Sequence, residues 1–292
     1  MEIKNPHDLI QLLDEQKYIA DEEFATVLFL LLKLNKPLLI EGPPGVGKTE
    51  LAMVLSKMLD TKLIRLQCYE GLDVNSAVYE WNYQKQLLGI KLQENDGQSV
   101  KQKEEKIFSE DYLLKRPLLS SIMEEDKAPV LLIDELDRSD EEFEAFLLEL
   151  LSAYQISIPE LGTIVAKHKP YVILTSNRTR ELSDALKRRC LYHWIDYPSL
   201  QKEMDIVAKR IPDIEKDLLE QLTTCVQKLR QQKLNKTPGV SETIDWAQSL
   251  IMLGHRSLNE VAFNQSIGTI LKSVDDISHI KNMGLEVLMQ ES

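Results

Sequence analysis

The fold of this chain is decided by residues 37–49, which read PLLIEGPPGVGKT. The run begins with apolar residues that have the length of a buried strand, and residues 51–55, which follow it, contain no helix breaker and predict a helix. From Gly42 to Thr49 the spacing is G-x-x-x-x-G-K-T, the phosphate-binding loop pattern, in the strand–loop–helix order that this pattern requires. An ordinary Gly/Pro turn that matches by chance is the weaker interpretation.

Each residue type in this loop suits an anion. Glycines let the backbone come close to the ligand with positive φ, so that successive N–H groups point inward. The N-terminus of the following helix adds partial positive charge, Lys48 supplies a full charge for the β- and γ-phosphates, and the Thr49 hydroxyl is a hard ligand for Mg²⁺. The predicted nucleotide-binding residues are Gly42, Pro43, Pro44, Gly45, Val46, Gly47, Lys48, Thr49 and Glu50.

Two adjacent carboxylates, Asp134 and Glu135, follow a second apolar run, residues 130–133. At the end of a buried strand, Asp134 can hold Mg²⁺ through water, and Glu135 can orient and deprotonate an attacking water. Adjacent acids also occur as exposed caps, but the phosphate loop upstream favours the catalytic interpretation.

Three further polar residues are candidates for the same site. Asn177 ends another apolar run, where a neutral amide can hold the attacking water, although an Asn that merely forms a turn has the same pattern. Arg188 and Arg189 carry planar, permanently charged guanidinium groups, which suit stabilisation of the charge on a transferred phosphoryl group. A salt-bridging surface pair is the alternative for the two arginines.

Composition limits the class of protein. The chain has 292 residues, enough for one large or two ordinary domains, and its net charge of -12 argues against non-specific affinity for nucleic acid or anionic membranes. We expect no disulfide framework, zinc site or histidine metal site, because the cysteines and histidines are scattered. With no signal peptide or membrane-length apolar run visible, the expected location is the cytoplasm. The cysteines are Cys68, Cys190 and Cys225.

Short strand patterns alternate with helical ones up to Pro198, which implies a parallel sheet with right-handed crossovers. We therefore predict an α/β domain over residues 1–198 and a smaller all-helical lid over 199–292. The first domain is expected to begin with N-terminal helices and to contain an irregular, solvated insertion around 69–106. A helical stretch is predicted at 109–123, with Pro117 disrupting or starting an element. A capping box at 139–142 and a hairpin around 155–169 follow. Lid helices are predicted at 200–211, 213–234, 242–254, 258–273 and 276–290, with a capping box at 257–260.

The motifs have the order and spacing found in AAA+ ATPases. Residues 42–49, 131–135, 175–177 and 186–189 resemble Walker A, Walker B, sensor 1 and the arginine finger of that family. Residues 134–138, Asp-Glu-Leu-Asp-Arg, resemble the signature of its MoxR branch, which also carries an insertion and a hairpin at the corresponding places. Residues 112–119 and 182–190 are similar to the corresponding segments of CoxD-like members. Those members are associated with maturation of molybdenum–copper carbon monoxide dehydrogenase-type enzymes.

This resemblance implies a P-loop fold, ATP with Mg²⁺ as cofactors, and a ring, usually a hexamer, with ATP between subunits. Arg188 is the better match to the finger that reaches the neighbouring subunit's γ-phosphate, and Arg189 is the second candidate. It also implies a chaperone-like remodeller whose partners are a von Willebrand factor A-domain protein and a client enzyme. Ile19 and Ala20 match the adenine-contacting segment. Relatives carry a sensor-2 arginine where residues 239–246 of this chain have no basic residue, so none is assigned.

Three other classes share the phosphate loop. A DNA-dependent motor or loader is opposed by the acidity and by the lack of a basic or aromatic cluster. A small-molecule kinase needs neither an arginine acting in trans nor a large helical lid. A scaffold that binds nucleotide without hydrolysing it is opposed by the intact Lys48, Asp134 and Glu135. The loop and the carboxylate pair therefore predict a magnesium-dependent ATPase, and the resemblance implies that it remodels a protein.

Overall fold

The computed structural model describes residues 3–92, 99, 102 and 106–290. The remainder of the predicted insertion, at 93–98, 100–101 and 103–105, lies outside the described residues. The chain forms two compact units, of which one comprises Glu23–Glu41 and Ala52–His193. The other comprises the described parts of Met1–Glu22, Gly42–Leu51 and Trp194–Ser292. The domain boundary predicted at residue 198 stays a proposal.

Nine strands occur among the described residues. Five of them form the main sheet, in the order β2-β5-β8-β1-β9, while β3 pairs with β4 and β6 pairs with β7. Their bounds are β1 Leu38–Glu41, β2 Leu63–Gln67, β3 Tyr79–Trp81, β4 Leu113–Lys115, β5 Val130–Asp134, β6 Gln155–Ile158, β7 Gly162–Val165, β8 Tyr171–Ser176 and β9 Leu191–Trp194.

The helices follow the amphipathic and apolar segments of the sequence. Those up to His193 are α1 Pro6–Glu15, α2 Glu22–Leu34, α3 Lys48–Met58, α4 Val74–Val78, α5 Tyr83–Leu92, α6 Pro117–Ile122, α7 Glu141–Ala153 and α8 Asp184–Lys187. The later ones are α9 Leu200–Arg210, α10 Lys216–Gln231, α11 Val240–Met252, α12 Glu260–Ile270, α13 Val274–Met283 and α14 Leu285–Gln290. Within residues 3–92 and 106–290, no helix combines the length and apolar character that a membrane span requires.

The main sheet positions the site. Strands β2, β5, β8 and β1 pair in parallel, so their carboxyl ends meet at one edge. Every residue of β5 is buried, because apolar side chains cover both faces of a parallel sheet. The alternate residues Leu131 and Ile133 join one hydrophobic cluster with Val172 and Leu174 of β8. This is the α/β parallel-sheet fold that the loop motif predicts.

Three sequence predictions were wrong in detail. Residues 69–92 are regular rather than irregular, since they contain α4, β3 and α5. Within residues 109–123, Leu113–Lys115 is a strand that pairs antiparallel with β3 rather than part of a helix, whereas Pro117 begins α6, as one of its two predicted roles requires. The edge strand β9 was not predicted at all. Both β4 and β9 are only three or four residues long, too short to give a period of their own in the sequence.

Helix ends also differ from the predicted capping boxes. Asp140 rather than Ser139 caps α7, with its carboxylate accepting from the Phe143 N–H at 2.8 Å, while the Ser139 hydroxyl donates to the Leu136 carbonyl. Asn259 rather than Ser257 caps α12. The helix predicted at 276–290 is two helices, because Gly284 takes φ +80°, which α-helix geometry does not allow.

A buried ion pair joins three helices of the unit that contains residues 194–292. Glu203 of α9 has no exposed surface, and both of its oxygens accept from the guanidinium of Arg230 at 2.7 Å. The Thr243 hydroxyl of α11 donates to Glu203 at 2.8 Å, and Arg230 also donates to the Pro238 carbonyl. The charges are thus paired and hydrogen-bonded, as burial requires.

Glu203→Ala is expected to lower the free energy of unfolding by about 3–5 kcal/mol, because it leaves the Arg230 guanidinium buried without its carboxylate. Urea denaturation of the whole chain, followed by circular dichroism, measures the change. Arg256→Ala is the control, since Arg256 makes an exposed ion pair with Glu215 and its loss is expected to cost at most about 1 kcal/mol. Equal effects of the two substitutions would contradict the role given to Glu203.

Candidate active site

The phosphate loop connects β1 to α3 and wraps around its own lysine. The Lys48 ammonium is buried and donates to the carbonyl oxygens of Gly42 and Pro43, each at 2.7 Å. Gly45 and Gly47 have φ of +75° and +92°, the left-handed region that glycine adopts without a steric penalty. The loop therefore has the backbone form and the central cation that the sequence predicts for phosphate binding.

The first turn of α11 lies directly on this loop. The Gly45 carbonyl accepts from the backbone N–H groups of Val240 and Ser241, at 2.9 and 3.2 Å. A Cβ on Gly239 would lie 2.8 Å from the Gly45 Cα, and one on Gly45 would lie 2.9 Å from a Glu242 carboxylate oxygen. Only glycine allows this approach at the two positions. Gly239 was predicted only as a break between helices, and no local pattern in the sequence indicates its contact with the loop.

Other predicted nucleotide contacts lie around the same loop. Glu50, in the first turn of α3, is ion-paired with Arg210 at the end of α9. A Cβ on Gly47 would lie 3.9 Å from the ring of Tyr18. Burial raises the pKa of Tyr18, so its hydroxyl stays protonated. Ile19 is half-buried and Ala20 is buried in the same segment.

The carboxylate pair lies at the end of β5, where Asp134 is the last residue of the strand, and Thr175 of the neighbouring β8 contacts both members of the pair. Asp134 is buried, and its Oδ1 accepts from the Thr175 hydroxyl at 2.6 Å. Its Oδ2 accepts from the Arg65 guanidinium of β2, also at 2.6 Å. The Thr175 oxygen in turn accepts from the Glu135 N–H at 2.9 Å. These contacts fix the carboxyl end of β5 to both neighbouring strands.

Glu135 has an unusual backbone conformation, with φ 54° and ψ 49°. A non-glycine residue in the left-handed region costs about 1 kcal/mol or more, so the surrounding contacts must hold it there. The Glu135 carboxylate is half-exposed and accepts from the Arg138 guanidinium at 3.2 Å. The strained turn directs the main chain away from the strand immediately after the buried Asp134.

Asp137 holds the segment that follows β8. Its buried carboxylate accepts from the backbone N–H groups of Asn177 and Thr179, at 3.2 and 2.8 Å, and from the Thr179 hydroxyl at 2.6 Å. The turn after β5 and the turn after β8 are therefore tied together. Asp134 and Glu135 were predicted from one motif and Asn177 from another, and all three lie in this one connected network.

The two candidate finger arginines differ in their surroundings. The Arg189 guanidinium donates to the Ser152 hydroxyl and to the Ala185 carbonyl, each at 2.8 Å. The Arg188 side chain is exposed, and the structure gives its guanidinium no hydrogen bond or ion pair with the residues that it describes. The structure therefore distinguishes the two arginines by their contacts: Arg189 is held within the chain, and Arg188 is exposed.

Several residues of this site were not assigned a role from the sequence. The two motif segments 134–138 and 175–177 contain Asp137, Arg138 and Thr175, so the sequence places these residues near the site. Arg65 had no such signal, since it reaches Asp134 only through the pairing of β2 with β5. Glu41, the last residue of β1, is buried beside three polar groups. Those groups are the Ser176 hydroxyl at 3.2 Å, the Tyr192 hydroxyl at 3.1 Å and the Arg178 guanidinium at 3.8 Å.

A parallel sheet that carries such a loop after one strand and such a carboxylate pair after another is typical of P-loop nucleoside triphosphatases. The family comparison is more specific. The chain belongs to the AAA domain family, in its dynein-related subfamily, whose model matches residues 37–190. It is therefore a member of the AAA+ ATPases, which bind and hydrolyse nucleotide.

Two relatives from staphylococci and one solved structure show what this chain is similar to. An uncharacterized protein of Staphylococcus haemolyticus is 26% identical over 82% of this chain and 85% of its own length. One from Staphylococcus aureus is 30% identical over 57% of this chain and 58% of its own length. A RuvB variant of Thermotoga maritima has a TM-score of 0.54 at 18% identity, over 91% of this chain and 73% of the RuvB chain. At that identity the similarity shows the fold alone.

Proposed function

We propose that this chain is a MoxR-type, Mg²⁺-dependent AAA+ ATPase that assembles into a ring and remodels or matures a protein partner. The observation that carries the proposal is the network at the ends of β5 and β8, in which Thr175 and Asp137 hold Asp134, Glu135 and Asn177 together. Hydrolysis needs this combination, whereas nucleotide binding alone needs only the loop.

The loop residues bind the phosphates. Backbone N–H groups of residues 42–49 and the N-terminus of α3 attract the anion, and Lys48 exchanges the carbonyls of Gly42 and Pro43 for phosphate oxygens. Glu50, Ile19 and Ala20 are proposed to contact the rest of the nucleotide. The Arg210 ion pair keeps the Glu50 side chain in place beside the loop.

Mg²⁺ would be held by oxygen atoms, which are the ligands it prefers. The Thr49 hydroxyl and the Asp134 carboxylate are the candidate donors, and Mg²⁺ there would neutralise charge on the β- and γ-phosphates. Glu135 orients the attacking water and takes its proton, and the Asn177 amide holds that water. The strained backbone of Glu135 supports this role, since strain is concentrated at functional sites.

Arg188 is proposed to complete the site of a neighbouring subunit. Its exposed guanidinium would stabilise the charge that develops on the γ-phosphoryl group, while Arg189 is bound to Ser152 within its own subunit. The active site would then be incomplete in a monomer, and turnover would depend on assembly.

Arg188→Ala is expected to lower turnover by about 10³-fold or more, because an arginine finger contributes that much, while ATP affinity stays close to the wild-type value. Phosphate release and equilibrium binding of a fluorescent ATP analogue measure the two effects. Mixing this variant with Glu135→Gln should restore part of the turnover, since a mixed ring contains some interfaces with both groups intact.

Arg116→Ala is the control, because Arg116 is an exposed arginine whose guanidinium pairs with Glu80 at 2.6 Å. Its turnover should equal that of the wild type. No recovery on mixing, despite assembly of both variants, would contradict a role in trans.

The partner is proposed to be a protein that contains a von Willebrand factor A domain, and the client a molybdenum enzyme of the carbon monoxide dehydrogenase type. Three features support this proposal. They are the resemblance of residues 134–138 to the MoxR signature, the hairpin formed by β6 and β7, and the similarity of residues 182–190 to CoxD-like members. The net charge of -12 favours a protein partner over nucleic acid. Salt-sensitive stimulation of turnover by DNA would instead favour a motor on DNA.

A further inference from the structure

Arg65 makes an ion pair that the proposed reaction does not use. It lies on β2, the edge strand of the main sheet, and its Nη2 donates to Asp134 Oδ2 and to Gln67 Oε1, both at 2.6 Å. Gln67 is the register partner of Asp134. The guanidinium thus lies across the end of β5, on the carboxylate oxygen that does not accept from Thr175.

The pair is unequal in exposure. The Asp134 side chain is 3% exposed and the Arg65 side chain 51% exposed. A carboxylate this deeply buried needs a compensating charge, and Arg65 supplies it. Because the arginine belongs to an edge strand and is half in solvent, its side chain can leave without disturbing the core.

We propose that Arg65 is an internal counter-cation that competes with the divalent metal for Asp134. A metal bound through Oδ2, directly or by a water, brings its own positive charge to the position that the guanidinium occupies. The two positive charges repel each other and share one oxygen, so metal binding would weaken the Arg65 contact and shift its side chain towards solvent. Arg65 thereby raises the concentration of Mg²⁺ that the site needs. The inference rests on the proposed role of Asp134 as a metal ligand.

Arg65 could instead position Asp134 for the metal, and its removal would then change the metal affinity in the opposite direction. If Arg65 positions Asp134 for the metal, its removal weakens metal binding. If Arg65 competes, its removal strengthens metal binding. The sign of one substitution therefore separates the two roles.

The measurement is the affinity for ATP with excess Mg²⁺ and with EDTA, in full-length protein that carries Glu135→Gln to prevent hydrolysis. The ratio of the two affinities is the Mg²⁺ enhancement. Arg65→Met is expected to increase it about threefold to tenfold, the size expected for a charge-assisted hydrogen bond to a half-exposed arginine. Arg65→Lys, which keeps the charge but loses the planar fork, should give an intermediate value and serves if the methionine variant does not fold.

A double-mutant cycle shows whether the effect passes through Asp134. Asp134→Asn is expected to lower the enhancement, and adding Arg65→Met to it should then change nothing further. Arg116→Met is the matched control, since Arg116 also donates to a carboxylate at 2.6 Å and is similarly exposed. It should leave the enhancement unchanged.

Each result has a defined meaning. An unchanged or lowered enhancement in Arg65→Met, or an increase that persists beside Asp134→Asn, would overturn the competition while leaving the metal role of Asp134 intact. If Asp134→Asn leaves the enhancement unchanged, Asp134 is not a metal ligand, and the inference about Arg65 fails as well.

Discussion

Glu135→Gln is expected to lower ATP turnover by about 10²- to 10⁴-fold, the range that general-base catalysis contributes. The amide has the size of the carboxylate but cannot accept the proton of the attacking water. The backbone contact that holds residue 135, its N–H bond to Thr175, does not involve the side chain and should persist. ATP affinity should therefore stay within about threefold of the wild type, which corresponds to less than about 1 kcal/mol of binding free energy.

Single-turnover phosphate release and equilibrium ATP binding measure these two quantities on the same preparation. Glu142→Gln is the control, because Glu142 is an exposed acid on α7 and its loss removes the same charge. If Glu135→Gln hydrolyses ATP at the wild-type rate, the attacking water is activated elsewhere and the proposed mechanism fails.

Lys48→Met is expected to weaken ATP binding by about 10- to 150-fold, because hydrogen bonds to charged groups are worth about 1.5–3 kcal/mol. Methionine has nearly the same length but brings neither the charge nor the three donors. The Gly42 and Pro43 carbonyls, which now accept from the ammonium at 2.7 Å, would also lose their partner.

Titration calorimetry with ATP and Mg²⁺ measures the affinity, and thermal unfolding without nucleotide shows whether the loop change destabilises the protein. Lys57→Met is the matched control, since Lys57 is an exposed lysine in the last turn of the same helix, α3. Equal ATP affinity in the two variants would mean that the loop does not bind the phosphates through Lys48.

The sequence predicts the central part of the fold because that part is encoded locally. The loop between Gly42 and Thr49 has a fixed spacing, and β5 and β8 are unbroken apolar runs with polar residues at their ends. Parallel pairing then brings those ends to one edge. The elements that were missed, β3 with β4 and the edge strand β9, are short and depend on distant partners rather than on their own composition.

The same distinction applies to the candidate site. Asp134 and Asn177 follow strands, so their order along the chain predicted where they lie. The contact of Arg65 with Asp134 needs the register of β2 against β5, which no local pattern specifies. The approach of Gly239 to Gly45 likewise joins segments far apart in the chain. Long-range side-chain and backbone contacts were therefore learned only from the structure.

The central claim is that hydrolysis requires two neighbouring subunits. Its most direct test is light scattering during size-exclusion chromatography with ATP and Mg²⁺, with phosphate release measured across the same fractions. We expect turnover only in fractions that contain an assembled ring, and we expect Arg188→Ala to assemble without hydrolysing ATP. A monomer that hydrolyses ATP at the full wild-type rate would contradict it, because Arg188 would then have no part in the active site.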